Sequence, residues 1–362
     1  MAYDYLIVGA GFAGSVCARE LAGAGKRVLV IDKRDHIGGN AYDYVNEHGV
    51  RIHKYGPHIF HTNSDKVFAW LSRFTEWRPY EHRVLAAVEG KLVPFPVNLT
   101  TLEMLGLEHL KPPAPFEHRP SNAEEQCLER VGPELYELFF KGYTTKMWGR
   151  HPRELDASVT ARIPVRWISR DDRYFTDKHQ AMPKSGYTAM FERMLDHPFI
   201  EVQLSSEPPQ TTTAHVIWTG PIDQHFAYCF GNLPYRSMRF ETSAVDSDGD
   251  WICSWASEAA TINYPNENNY TRLTNWLNLT GDPDRWRSAE TKEYPTAEGE
   301  PYYPLPAPEA RALYKKYEAL ALKQKDVTFL GRLGSYQYLN MDQVVGQALM
   351  TASRLLATNP AL

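Results

Sequence analysis

Tyr3-Asp4-Tyr5-Leu6-Ile7-Val8-Gly9-Ala10-Gly11-Phe12-Ala13-Gly14 decides the fold, because an apolar run of strand length passes straight into three glycines at G-x-G-x-x-G spacing. Such a run reads as a parallel strand covered on both faces. Gly9 permits a tight turn, Gly11 lets backbone N–H groups approach a pyrophosphate, and Gly14 lets the following helix, Ser15–Ala22, pack closely on the strand. The positive end of that helix, beginning beside Phe12, faces the phosphates. A second strand, Arg27–Ile31, ends at Asp32, an acid 18 positions beyond Gly14 and placed to accept hydrogen bonds from an adenosine ribose. The stretch therefore predicts a Rossmann-like α/β domain that binds a dinucleotide.

Working outward, Lys33-Arg34 leads to His36-Ile37-Gly38-Gly39-Asn40, where a paired glycine again lets backbone come close to a ligand. A second-strand acid followed by cations and Gly-Gly resembles flavoproteins with dinucleotide folds, and implies FAD rather than NAD. Lys54–Thr62 is rich in rings and broken by Gly56-Pro57, so it reads as a loop lining something. His58 and His61 lie on it; no Cys, Asp or Glu completes a metal-ligand set at suitable spacing, so hydrogen bonding is expected and no metal. Val216–Pro221 reads as a later strand of the same sheet, with Thr219 and Gly220 turning toward the cofactor.

Basic and acidic residues number 39 and 44, a formal charge of −5, so no global field recruits nucleic acid or an anionic membrane. An anionic ligand needs local arginines. Cys17, Cys127, Cys229 and Cys253 show neither C-x-x-C nor zinc spacing, which predicts reduced, mostly buried thiols and a cytoplasmic setting. The N-terminus lacks a basic leader, and no apolar span reaches bilayer length.

Arg83–Val88, Glu89-Gly90 and Lys91–Pro94 read as a hairpin, and Thr100–Glu103 as a capping-box helix start. Pro112, Pro113 and Pro115 introduce a helical insertion carrying Leu135, Leu138, Phe139 and Phe140. From Arg239 to Tyr294 polar and apolar residues alternate between turns at Asp246–Asp250 and Pro265–Asn269, predicting antiparallel strands. Helices at Tyr314–Leu322 and Met341–Leu356 bring the C-terminus back to the first domain.

Taken together, the chain closely resembles the flavin-dependent UDP-galactopyranose mutase family over nearly its full length. The resemblance rests on the glycine motif, His36–Asn40, Gly56–Thr62, Thr144-Thr145-Lys146-Met147-Trp148-Gly149, Arg162-Ile163-Pro164-Val165-Arg166, Tyr235–Phe240, Tyr270-Thr271-Arg272, Pro301-Tyr302-Tyr303-Pro304, Gly331-Arg332-Leu333-Gly334 and Tyr338-Leu339-Asn340-Met341-Asp342. Each is weak alone; in this order they are specific. The resemblance implies three parts: an FAD-binding domain (1–75 with 186–235 and 318–362), a helical insertion with a mobile loop (100–165), and an antiparallel sheet domain (76–99, 166–185 and 236–317).

The family interconverts UDP-galactopyranose and UDP-galactofuranose, a precursor of cell-wall polysaccharide, without net redox change. Reduced FAD attacks the anomeric carbon through N5, UDP leaves, and the sugar recloses through a different hydroxyl. By the same resemblance Arg162 and Arg272 bind the pyrophosphate, with His61 the third catalytic candidate, helping to hold the reduced flavin. Tyr174, Tyr303 and Tyr338 supply phenols to the phosphates, Tyr143 stacks on uracil, and Trp148 sits on a loop closing over the sugar. Phe139, Phe140, Thr144, His82 and Asn340 complete the substrate set. Gly9, Gly11, Phe12, Gly14, Asp32, Lys33, Gly39, Asn40, His58, Thr219, Gly220, Arg332, Met341 and Asp342 form the cofactor set. The partner is a nucleotide sugar; no nucleic acid or membrane is expected, and a homo-oligomer is left open.

Three departures stand out. Members carry a charged stretch after the sheet arginine where this chain has Leu273-Thr274-Asn275-Trp276-Leu277-Asn278, which implies lost charge near the ligand. Trp167–Arg170 is one residue longer than usual, and His82 stands where many members have asparagine. Two alternatives follow: the same chemistry on another nucleotide hexose, N-acetylated or 6-deoxy, or an FAD oxidoreductase of the amine-oxidase type. The single glycine fingerprint and the paired arginines fit an oxidoreductase less well than a mutase.

Overall fold

The computed structural model describes residues 3–209, 211–246, 259–281 and 287–358. Of the predicted turn Asp246–Asp250 only Asp246, the last residue of a strand, is described, and Cys253 also lies outside these residues. The opening motif folds as its pattern requires: strand Tyr5–Val8 runs into helix Phe12–Gly23. The strand is central in a five-stranded parallel sheet, between Val28–Ile31 and His215–Trp218, with Ile200–Gln203 and Val327–Phe329 outside them. Parallel strands need crossovers. Here they supply Phe12–Gly23 and Tyr187–Leu195, which cover one face together with the C-terminal helix Met341–Thr358. Val16, Leu21, Val345 and Ala352 interlock there in the largest core cluster, where each large apolar side chain contributes about 1.5–3 kcal/mol by leaving water.

A second sheet has seven strands in the order Tyr303–Pro304, Tyr235–Asp246, Arg287–Thr296, Arg272–Asn275, Thr261–Asn263, Val84–Val88 and Lys91–Phe95. It is not wholly antiparallel, because Thr261–Asn263 pairs with Val84–Val88 in parallel. The helical insertion and much of the first domain lie between these strands in sequence, so no short turn constrains their direction. The hairpin Val84–Val88 to Lys91–Phe95 closes through Glu89 and Gly90, both at positive φ, as a two-residue turn of that twist demands. Segment 166–185 does not join this sheet. Its strand His179–Pro183 instead forms a three-stranded sheet with Phe60–Thr62 and Trp77–Pro79.

The insertion comprises Ala123–Leu135, a π-helical turn at Tyr136–Lys141 and Gly142–Trp148. Gly132, at φ 77°, breaks the first of these, and Pro133 restarts it. The short helix before the insertion starts earlier than the pattern indicates: Asn98, not Thr100, is its cap, exchanging hydrogen bonds with Thr101. No described helix is long and apolar enough to cross a membrane.

Candidate active site

The first half of the site is a cleft at the C-terminal ends of the parallel strands. Gly9, Gly11, Phe12, Asp32, Lys33, Gly39, Asn40, His58, Thr219, Gly220, Arg332 and Met341 line it. The glycines are sterically obligatory. A Cβ on Gly14 would stand 1.9 Å from the Gly9 carbonyl oxygen, one on Gly9 (φ +109°) 2.0 Å from Thr219 Oγ1, and one on Gly39 2.9 Å from Gly11 Cα. These two loops pass closer than any side chain allows, leaving their backbone bare toward the cleft, the cradle a pyrophosphate needs. Asp32 caps the second strand, accepting from Ala10 N at 2.8 Å and Arg34 N at 2.9 Å.

Two members of the predicted cofactor set sit elsewhere. Gly14 packs behind the turn rather than on the cleft wall. Asp342 is tied down by Thr62 Oγ1 at 2.8 Å and bonds to Gln343 N, so it anchors the C-terminal helix to strand Phe60–Thr62. Conversely, Arg34, Ser206, Glu207, Pro208 and Glu300 line the cleft without having been expected. Arg34 links Asn40 and Glu300. Only Arg34 carried a local signal, the cation following the strand-end acid; the others come from distant segments.

The second half is built across domains. Arg272 projects from the seven-stranded sheet, with Nη2 3.2 Å from the Tyr143 hydroxyl and Nη1 3.7 Å from buried Glu293. Arg162, at the end of helix Ser158–Ala161, lies over the Tyr338 ring, 4.0 Å from its centre. Arg332 approaches Tyr303 and Tyr338 at 5.1 and 5.2 Å, and those rings stack at 5.4 Å. Burial pushes the Tyr338 phenol up, but Arg162, Arg332 and Arg272 together outweigh it and hold it below the ordinary phenol range. Tyr303, with less compensation, is pushed up to about 12 by burial. Tyr174 is raised by burial as well and donates its backbone N–H to the His82 carbonyl at 2.7 Å. Three guanidiniums around phenol hydroxyls form a concentrated site for a polyanion.

His58 and His82 are both driven down to about 3, by burial first. They stay neutral, so neither is a standing cation. Glu293 is raised by burial, against the opposing pull of Arg272, and its Oε1 has no hydrogen-bond partner. The sequence offered no signal for it beyond strand alternation.

Several predicted substrate residues are placed differently than expected. Phe139 and Phe140 are 2% and 3% exposed and pack on Phe95 in the insertion's core, so they support the site rather than line it. Trp148 ends a helix, not a loop, and is buried against Tyr303. Thr144 is buried on the same helix. Asn340 is exposed and starts the C-terminal helix, its N–H donating to Gln343 Oε1 at 2.9 Å. Asn275 follows Arg272 by three positions and so projects from the opposite sheet face, where it caps helix Trp276–Thr280. Trp276 is wholly buried against His53. Asn275 and Trp276 are therefore packing, not a pocket wall.

A dinucleotide cradle opening onto an arginine–tyrosine polyanion site is the geometry against which known proteins can be compared. The sequence pattern of UDP-galactopyranose mutase matches residues 138–338, and that of NAD(P)-binding Rossmann-like domains residues 7–74. A probable UDP-galactopyranose mutase of Klebsiella pneumoniae is 41% identical over 98% of this chain and 95% of its own. The chain belongs to the UDP-galactopyranose mutase family. It is accordingly an isomerase, an intramolecular transferase. Another relative, the dTDP-fucopyranose mutase of Escherichia coli, is 36% identical over 98% of both chains. A crystal structure of reduced UDP-galactopyranose mutase shares the fold, with a TM-score of 0.80 at 16% identity over 99% of this chain and 94% of that one. Membership implies a flavin cofactor and a nucleotide-sugar substrate, and the bare-backbone cradle fits such a cofactor's pyrophosphate.

Proposed function

We propose that the protein interconverts UDP-galactopyranose and UDP-galactofuranose, with reduced FAD in the glycine-lined cleft and no net redox change. The observation that carries this reading is the convergence of Arg162 and Arg272, from different domains, on a tyrosine set beside that cleft. FAD, when bound, would supply a nucleophilic N5 for the anomeric carbon.

The chain's own residues do the rest. Arg162 and Arg272 hold the leaving diphosphate and stabilise the charge that grows on it. Tyr174, Tyr303 and Tyr338 donate phenol hydrogen bonds to the same oxygens, Arg332 contacts the flavin pyrophosphate, and Tyr143 stacks on uracil. His58 and His61 border the flavin, and His82 stands beside the sugar. The three-part division, with boundaries as expected from the resemblance except that His179–Pro183 and Trp77–Pro79 belong to the three-stranded sheet, is part of this proposal.

The dTDP-fucopyranose mutase relative supports a second reading, the same chemistry on a 6-deoxy hexose. Reconstitution with 5-deaza-FAD tests the chemistry common to both. The reduced deaza enzyme should bind its nucleotide sugar yet fail to isomerise it, since carbon replaces the nucleophilic nitrogen. Dithionite-reduced native FAD should support turnover without stoichiometric consumption of reductant. Full activity with the deaza cofactor would overturn the reading.

A further inference from the structure

Asp177, Asn63 and Phe175, clustered around His61, are unused by this account. Strand Phe60–Thr62 pairs with His179–Pro183, setting His61 opposite Gln180. Just ahead of the second strand, Asp177 Oδ2 lies 3.0 Å from His61 Nδ1, while its Oδ1 accepts from Asn63 Nδ2 at 2.8 Å. Asn63 Oδ1 in turn accepts the Lys178 backbone N–H at 2.9 Å. Phe175 stacks on the His61 ring at 3.7 Å and 13°, and also meets His82, whose ring centre is 6.1 Å away. The cluster thus adjoins the residues around Arg272.

The hydrogen-bond polarity of this chain is determined from one end. A backbone N–H only donates, so the Asn63 atom facing Lys178 is its carbonyl oxygen, and its NH2 faces Asp177. A carboxylate only accepts. Asp177 therefore accepts a hydrogen bond from Asn63 on one oxygen and requires one donated by His61 on the other. We infer that Asp177 is a positioning residue that holds His61 in the Nδ1–H tautomer, so that Nε2 is left as the acceptor of the ring. Phe175 holds the ring plane, and Asp177 its rotation and tautomer. The kinetic consequence rests on the mutase reading; the tautomer does not.

Asp177→Asn is nearly isosteric but must donate on one side. Because Asn63 is pinned by Lys178, the new amide turns its NH2 toward His61, whose Nδ1 can accept it only in the Nε2–H tautomer. In the double variant Asn63→Asp/Asp177→Asn, the new carboxylate at position 63 accepts from both Lys178 N and the new amide at position 177. The oxygen of that amide then faces His61, and the Nδ1–H tautomer returns.

The test is 15N-histidine NMR of the FAD-loaded protein at a pH where His61 is neutral, with the His61 signals identified by their loss in His61→Gln, alongside steady-state kinetics. The single variant should show the switched tautomer and a kcat lower by about 10–100-fold, with flavin content and UDP affinity unchanged. The double variant should show the parental tautomer and recover most of that loss. A parental Nε2–H tautomer, a single variant that keeps Nδ1–H, or a lost kcat that the double variant does not restore would each overturn the proposal. A parent that shows Nδ1–H but isomerises no nucleotide hexose would overturn the functional reading and leave the tautomer assignment standing.

Discussion

The flavin-type cleft and the arginine–tyrosine compartment meet at Arg332, yet they are built by opposite means. The cradle's glycines, Gly9, Gly11, Gly14 and Gly39, all belong to the opening strand–helix–strand stretch and the loop that follows it, and their spacing brings them together. In the compartment, Tyr143, Arg162, Arg272 and Tyr338 come from the insertion, a helix end, a sheet strand and the approach to the last helix. The cleft depends on the absence of side chains, the compartment on which side chains are present. A cradle of backbone should fail all at once when a Cβ is added at Gly9, Gly14 or Gly39, whereas a set of charged groups should lose function by the residue.

The largest effect is therefore expected at Gly14. A Cβ there would overlap the Gly9 carbonyl at 1.9 Å, and backbone cannot step aside as a side chain can. Gly14→Ala should purify without flavin and take none up on reconstitution, read from its absorbance spectrum. Normal flavin content would show that the cradle tolerates what its geometry forbids.

Next come the arginines. Arg162→Ala and Arg272→Ala should each keep their flavin but lose about 10²–10³ in kcat, roughly 3–4 kcal/mol of transition-state stabilisation. A variant with near-normal turnover would remove that residue from the clamp and break the contrast between the two regions.

Buried histidines give a smaller, graded effect on stability. His53 and His82 are held neutral, down to about 3, by burial first. The unfolded chain protonates them near pH 6.5, so between that pH and about 3 it binds more protons than the folded one. Stability is thus full above pH 6.5 and falls as pH drops, by up to about 1.4 kcal/mol per pH unit for each histidine. His53→Gln, which can still accept the His58 N–H, should flatten the fall of denaturation free energy between pH 7 and 5. A slope equal to the parent's would mean His53 does not contribute to it.

Smallest is the stretch after Arg272. Replacing Asn275 by Glu and Leu277 by Lys restores charge, but at a residue on the sheet face turned away from Arg272 and at one on the short helix that follows. Relative kcat/KM values among nucleotide sugars should stay within about twofold, while the weakened helix cap costs about 1 kcal/mol in thermal denaturation. A clear change of preference would place these side chains in the compartment after all.

Local codes were legible and nonlocal ones were not. The strand, glycine turn, helix and Asp32 were readable because each constraint acts within one βαβ unit, and the Glu89-Gly90 hairpin because Gly90 tolerates the positive φ of a tight turn between two apolar runs. Arg162, Arg272 and the tyrosines were named only through resemblance; no periodicity points at a residue whose partners lie in remote segments of the chain. Phe139, Phe140 and Trp148 show the cost of that route, since aromatic rings near a site read the same in sequence whether they line it or prop it from behind.

By itself, then, the sequence determined the Rossmann-like unit, its demand for a bare backbone and the family to which the chain belongs. Only the tertiary structure decided which face each sheet residue presents, and so that Arg272 reaches the compartment while Asn275 caps a helix. It also decided that Glu293 is buried beside Arg272 and that Asp177 meets His61. The reason is physical: a backbone turn is specified by neighbours along the chain, whereas a buried charge or a histidine's tautomer is specified by whatever donors and acceptors folding brings against it.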